Sequence, residues 1–386
     1  MKNSRKSCKR VIKTMGVRNK ERYCLPQRLR DARLASGKTI KEVAESLGIS
    51  AQALSMFELG RCNISTEMFF LLKNMYDLPL SFYTKDYMDN VNRSSVFFRK
   101  FSAATKRKRE RALKHAEFIS CNVIKFFQGK IKFPPVDRSF FEIKQSIELE
   151  NRRDPELWAK IIRRKWGLGD KPIINIVREL ERRGIVVSVV PMDDEVDGFS
   201  YWQDERPFIF VNQSNTAVRL RMSIAHELCH LFFHEEADVE QDLKQLEDEA
   251  KLFAGAFLLP ERALVDDLYV TSMEHLIYMK SIWKVSIQGI IVRAKNIGLI
   301  SDDKFTYLQR QISIKKWRKR EPGDDVIDKE LPSLLRQAME LLIAKKFVTK
   351  ETLIDEIGLS GKFLEQYCTL EDGFFEHPDN LVTLSF

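Results

Sequence analysis

The stretch MSIAHELCHLFFH, residues 222–234, spaces three of the chain's six histidines four residues apart. On a helix that spacing stacks His226 and His230 on one face, so two imidazoles can aim at a single ion. Glu227 lies about 100° round the helix, too far to join both histidines as a ligand. It can still reach a water bound to that ion. Ile224, Leu228, Leu231 and Phe232 form an apolar face that has to be buried. The stretch therefore demands a packed helix and a second element bringing at least one more ligand. A catalytic zinc site takes three protein ligands and keeps one position for water.

This is the H-E-x-x-H arrangement of zinc hydrolases. Zn2+ held by His226 and His230 would bring its water towards a pKa of about 7, with Glu227 as general base. The plain alternative is a polar stripe on an ordinary helix. Context favours the metal: three strand-like segments precede the helix (IVVSVV, GFSYW and PFIFVN), and the acidic run LEDEAKLFAGAFLLP (246–260) follows at a distance that permits an antiparallel return. Two carboxylates compete for the third ligand. Glu247 shares a face with Ala250 and Ala254, which permit close approach of the two helices. Glu249 is the rival, on a bulkier face with Phe253 and Ala256. His234 is two turns from His226, beyond reach of a shared ion, and is expected in the ligands' surroundings or at the surface. Cys229 reads as a core thiol. PFIFVN offers either an exposed edge for a peptide to pair with or a buried central strand. Tyr201, Arg219 and His234 are candidates for an oxyanion donor.

At 386 residues the chain suggests two or three domains. No apolar run approaches the roughly 18 residues of a membrane helix, and no secretory signal opens the sequence. Six scattered cysteines without a C-x-x-C pair point to reduced thiols and a cytoplasmic location. Net charge is +9, and residues 1–30 hold eleven Lys or Arg against the single Glu21. A second basic cluster, KRKRERALK, occupies 106–114. Such charge suits phosphate backbones or, equally, solvated faces.

Residues 25–84 read as short helices with N-caps at Thr39 and Ser50 and stops at Gly48 and Gly60. TIKEVAESLGISAQALSMFELG has the layout of a DNA-binding helix-turn-helix. In its second helix Ala51, Gln52, Ser55 and Met56 occupy the base-reading positions, with Gln52 suited to adenine. Arg28, Arg30, Arg33, Lys38, Lys41 and Arg61 are candidates for phosphate contacts. The division expected is a flexible basic arm (1–24), the helix-turn-helix domain (25–84), a helical linker region (85–170), a metallopeptidase core (171–265), a helical extension (266–322) and a C-terminal helical region of unread role (323–386).

RLRDARLASGKTIKEVAESLGISAQALSMFELGR, RLRMSIAHELCHLFFH, EDEAKLFAGAFLLP and the segment from SMEHLIYMK to WRKREP together resemble the ImmA/IrrE metallopeptidases fused to an N-terminal Xre-type helix-turn-helix. The resemblance implies a mainly α chain: an all-α helix-turn-helix domain and a small α+β zincin-like domain. It implies His226 and His230 as zinc ligands, Glu227 as base and, through E-x-x-A, Glu247 as third ligand. It also implies a regulatory protein substrate, typically a repressor, and no membrane partner. Lys251 stands where the family usually has Asn or Asp; Ile40 and Met56 stand where the Xre module usually has Gln and Arg. The alternative from another class is a non-proteolytic DNA-binding regulator whose metallopeptidase-like domain senses a ligand or partner.

Overall fold

A computed structural model describes residues 24–85, 106–137, 139, 142, 143, 145, 153–193, 196–234 and 239–376, with the side chains of 239–243 left aside. The basic arm expected at 1–24 lies outside the described residues apart from Cys24, which is buried. Among the described residues the chain is mainly helical with one three-stranded sheet, the fold class its sequence implies.

Five short helices open the chain: α1 (Pro26–Ala35), α2 (Ile40–Ser46), α3 (Ala51–Glu58), α4 (Thr66–Tyr76) and α5 (Leu80–Thr84). Thr39 and Glu42 close a capping box on α2, and Ser50 caps α3 by accepting from the Ala53 N–H. Gly48 takes a φ of +66° in the turn between them, a conformation that favours glycine. Leu29, Val43, Leu54, Phe69, Leu72 and Phe82 form the interior. A forked pair, Arg33 Nε to Glu58 Oε1 at 2.6 Å and Nη2 to Oε2 at 2.8 Å, locks α1 to the end of α3.

The basic run at 106–114 begins helix α6 (Lys106–Glu117), which continues through a π-helical turn, Phe118–Val123, into α7 (Ile124–Phe127). Its first residues are exposed or half-buried, but from Ala112 onward α6 is buried. Lys114 crosses to Asp31 on α1 at 2.9 Å. So part of the charge that looked solvated instead fastens this helix to the first domain.

After α8 (Pro155–Lys165) and α9 (Ile176–Glu181) come β1 (Val186–Val190), β2 (Gly198–Gln203) and β3 (Arg206–Asn212), in spatial order β1–β3–β2. β3 runs parallel to β1 and antiparallel to β2, so PFIFVN is the central strand. Of the two roles open to that strand, the buried central one is found and the substrate edge is not: its backbone is paired on both sides and its continuous apolar run is buried on both faces. Gly184 permits the sharp entry into β1, because a Cβ there would lie 2.7 Å from the backbone of Pro135.

The sheet separates two cores. Phe199, Tyr201, Phe208 and Phe210 face the first five helices, α6 and the C-terminal helices α16 (Leu334–Ala344), α17 (Lys350–Ile357) and α18 (Gly361–Cys368). Ile209 and Val211 face the opposite core, which contains α10 (Ala217–Phe233) and α11 (Val239–Leu258). Helices α12 (Glu261–Asp267), α13 (Met273–Trp283), α14 (Ile287–Asn296) and α15 (Asp302–Ile314) complete that side. Glu330, on the connection to α16, accepts from the Ile176 N–H at 2.6 Å and pairs with buried Arg221 of α10. No helix among the described residues is long and apolar enough to cross a membrane.

Candidate metal centre

Helix α10 starts at the N-cap Thr216 and is buried along nearly its whole length. Helix α11 returns against it, with Ala250 and Ala254 fully buried. Small side chains at that seam let the helices approach and put Glu247 opposite the histidines. His226 Nε2 and His230 Nε2 stand 3.0 Å apart. The Glu247 carboxylate lies 3.5 Å from the first nitrogen and 3.4 Å from the second. Among the described residues these three form a cluster able to hold a metal ion, their ligand atoms all within 4.8 Å of one another. Two imidazole nitrogens and one carboxylate make a donor set that suits zinc.

The electrostatics fit a cation. Burial pushes the His230 imidazole down to about 3, so it is neutral and its lone pair is available at physiological pH. Burial works to raise the Glu247 pKa, but hydrogen bonds to His226 and His230 prevail and hold it well below the usual carboxylate range. The cluster thus sets the neutral His230 imidazole beside the Glu247 carboxylate anion.

Glu249, the rival ligand, points elsewhere. Its Oε2 lies 3.0 Å from His234 Nε2, and His234 Nδ1 lies 2.9 Å from His230 Nδ1. Gln245 donates to Glu249 Oε1 at 2.8 Å, and Arg153 pairs with the same oxygen at 3.3 Å. The chain of contacts has a consistent protonation. If His230 Nε2 binds an ion, its Nδ1–H donates to His234 Nδ1, and His234 Nε2–H donates to Glu249. Ring contacts of this kind fix which nitrogen of a ligand faces the metal. His234 is fully buried, so it belongs to the surroundings of the ligands rather than to the surface.

Glu227 is buried beside β2, where the Ser200 hydroxyl donates to its Oε2 at 2.9 Å. Gly198 makes room for this approach: a Cβ would meet the Phe210 carbonyl oxygen at 2.7 Å and Glu227 Cγ at 3.6 Å. Ser200 was not singled out from the sequence. Its signal was strand alternation in GFSYW, which puts one small hydroxyl on the face opposite Phe199 and Tyr201. Tyr201 is accordingly excluded as an oxyanion donor, since its hydroxyl meets Ser120 Oγ at 3.0 Å in the other core. Arg219 is exposed and pairs with Asp197 at 2.6 Å, just before β2. Cys229 is fully buried, and burial raises its thiol pKa well above the ordinary value. Lys251 turns outward to Asp248 at 3.0 Å, which removes a cation from the site without a special second partner.

At the other end of the chain, Ala51 and Gln52 are exposed at the start of α3, while Ser55 and Met56 are half-buried. Lys41, Arg30 and Arg61 are exposed, Lys38 is half-buried, and Ile40 packs partly into the core. Arg28 does not fit the phosphate role expected of it. It is buried, lies over the Phe82 ring with 5.1 Å to the centroid, and pairs with Asp31 at 3.7 Å. Arg33 is likewise withdrawn, into its pair with Glu58. The helix-turn-helix spends these two arginines on its own interior.

Fold and site together define a metallopeptidase-like domain following a DNA-binding domain. Residues 180–295 match the family described as IrrE N-terminal-like domain, and residues 29–83 match the helix-turn-helix family. The chain therefore joins an Xre-type helix-turn-helix to an IrrE/ImmA-like peptidase domain, in the N-to-C order its motifs suggest. No curated relative matches the chain.

Proposed function

We propose that this protein is a zinc-dependent endopeptidase that cuts a repressor or another regulatory protein, and that its helix-turn-helix positions it on DNA in the cytoplasm. The observation that carries the proposal is the convergence of His226, His230 and Glu247, with Glu227 held beside them by Ser200. His226, His230 and Glu247 would hold the ion. Zinc bound there would supply Lewis-acid activation of water and of the scissile carbonyl. Glu227 takes the proton of the attacking water and delivers it to the leaving amine. The Ser200 hydroxyl orients the Glu227 carboxylate by donating to its Oε2. Of the two outer strands, β2 is the one that carries Ser200 to α10, so a peptide extended beside the site would run past β2 rather than β3.

The helix-turn-helix would contact bases through Ala51, Gln52, Ser55 and Met56 and phosphates through Lys41, Arg30 and Arg61. One observation supports a second reading, in which the peptidase-like domain senses a ligand or partner without cutting. The first five helices and one face of the sheet share a continuous core. A change at the metal side could thus be felt by the DNA-binding helices.

The test is zinc content per chain after purification without chelator, with His230→Ala alongside, followed by incubation with candidate repressors. One zinc, lost in the variant, together with cleavage abolished by Glu227→Gln, is the expected result. Zinc bound without cleavage of any regulator favours the sensor; no zinc in the wild type refutes the metal site.

A further inference from the structure

The helix-turn-helix is nearly neutral for a unit that has to meet phosphates. Residues 25–85 carry eight Lys or Arg against six Asp or Glu, and the base-reading positions Ala51, Gln52, Ser55 and Met56 include no cation. Arg28 and Arg33 are moreover withdrawn into the interior. Yet the sequence-independent part of DNA affinity comes from Lys and Arg that neutralise phosphates and release their counterions. The charge that the domain lacks stands beside it. Residues 106–111, at the start of α6, hold five Lys or Arg against the single Glu110.

This basic end of α6 is fastened to the DNA-binding domain along one stripe. Lys114 pairs with buried Asp31 of α1 at 2.9 Å. Arg111 lies over the turn between α1 and α2, where a Cβ at Gly37 would stand 3.0 Å from its Cδ. Arg107 reaches Glu42 of α2 at 3.6 Å. Positions 107, 111 and 114 share one helix face, so three successive contacts hold the helix in a fixed direction. Glu42 follows Lys41 in the chain, and its other oxygen accepts from the N-cap Thr39 N–H at 2.6 Å. Arg107 is thereby held at the start of α2, the helix that crosses the DNA backbone in units of this kind. Lys106, next to it, is exposed and meets no carboxylate among the described residues. Lys108 is directed instead to Asp193, at 3.9 Å.

We propose that α6 belongs to the DNA-binding surface, with Lys106 and Arg107 contacting phosphates of duplex DNA next to the one met by Lys41. The inference rests on the DNA-binding reading of the helix-turn-helix and extends it to a helix outside that domain. The Glu42 pair does not stand in the way. Both of its side chains are exposed, such pairs are weak, and a guanidinium has donors to spare for a phosphate. The other end of the same helical run carries Ser120, which meets Tyr201 of β2, so DNA would grip an element that reaches the sheet.

The experiment uses the full-length protein and a random-sequence duplex, with binding read by fluorescence anisotropy between about 50 and 200 mM NaCl. Lys106→Ala and Arg107→Ala should each reduce the slope of log affinity against log salt by about 0.9, and the double variant by about 1.8. At about 0.1 M salt the double variant should bind roughly 10- to 100-fold more weakly. Duplexes selected from a randomised pool should keep the wild-type sequence preference, because phosphate contacts carry no sequence information. Lys106→Arg combined with Arg107→Lys keeps both charges and should restore the slope. Thermal melting of Lys106→Ala should match the wild type, since no partner is lost.

An unchanged slope in the double alanine variant overturns the proposal, because the phosphates are then met by other cations. A reduced slope that the charge-preserving variant fails to restore also overturns it, since the effect is then one of structure rather than charge. Failure of the wild type to bind duplex DNA at any of these salt concentrations overturns the DNA-binding reading itself, and the role of α6 falls with it.

Discussion

His115 provides a quantitative test of how the two halves of the chain are joined. It lies on α6, is buried, packs its ring near Phe363 at 5.9 Å and Tyr367 at 5.8 Å, and hydrogen-bonds Tyr367. Burial, reinforced by the charge of Arg111, lowers its pKa from 6.5 to about 4. The folded protein therefore holds a neutral imidazole that the unfolded chain would protonate below about pH 6.5. The stability is fully present above 6.5, declines as pH falls and levels off near pH 4. A gap of about 2.5 units at ~1.36 kcal/mol each is about 3 kcal/mol in all, of which about 2 kcal/mol is lost between pH 7 and 5. The perturbation is His115→Phe, which keeps an aromatic ring and removes the titration. Urea unfolding by circular dichroism is run on metal-free wild type and variant at pH 7 and pH 5. His230 and His234, also lowered by burial, contribute to both proteins and cancel in the comparison. The wild type should lose about 2 kcal/mol more than the variant over this interval. Equal losses would show that His115 is not held neutral inside the core and would refute the argument.

Other outcomes follow from the same geometry. Glu247→Ala should abolish stoichiometric zinc, whereas Glu249→Ala should retain it with affinity weakened roughly 10- to 100-fold through loss of the His234 contact; chelator competition measures both, and the opposite order would make Glu249 the ligand. Ser200→Ala should leave zinc content unchanged but slow cleavage of a regulator at every substrate concentration, and an unaltered rate would remove Ser200 from the positioning of Glu227. Gly198→Ala should cost about 1–3 kcal/mol, read from urea midpoints, because the new Cβ forces β2 away from the Phe210 carbonyl. In DNA-binding assays at fixed salt, Gln52→Ala and Ser55→Ala should change operator preference and Lys41→Ala should weaken all sequences alike. Arg28→Ala should instead lower the melting temperature of the first domain, since its guanidinium packs on Phe82.

The convergence of His226, His230 and Glu247 was legible because its determinants are local and periodic. A four-residue spacing sets His226 and His230 on one face whatever surrounds the helix, and two alanines leave only one close approach for the returning helix. The sequence favoured Glu247 over Glu249 through its alanine face and the E-x-x-A spacing, but could not show where Glu249 goes. Both are acidic, both lie near the seam, and the difference is that His234 occupies Glu249. The strand order was equally inaccessible. A continuous apolar run such as PFIFVN suits an edge or a centre, and only the pairing of β1 and β2 on either side decides between them. Arg28 and Arg33 show the opposite failure: cationic side chains were candidates for phosphate contacts on charge alone, yet Asp31, Phe82 and Glu58 draw them into the interior.

The strand β2 shows why the site cannot be understood from its motif alone. Successive side chains of a strand point to opposite faces. Ser200 therefore reaches Glu227 in one core, while Tyr201 reaches Ser120 of the π-helical turn in the other. That turn continues α6, whose Lys114 is tied to Asp31 of the first helix of the DNA-binding domain. A displacement of α6 strong enough to move Tyr201 must also move Ser200, because one peptide unit joins them. The proposed base and the DNA-binding helices thus meet on adjacent residues of a single strand. Breaking the Tyr201–Ser120 contact with Tyr201→Phe leaves His226, His230 and Glu247 in place. It should still change either cleavage or DNA binding when the partner of the other site is added; full independence of the two would show that the shared core transmits nothing.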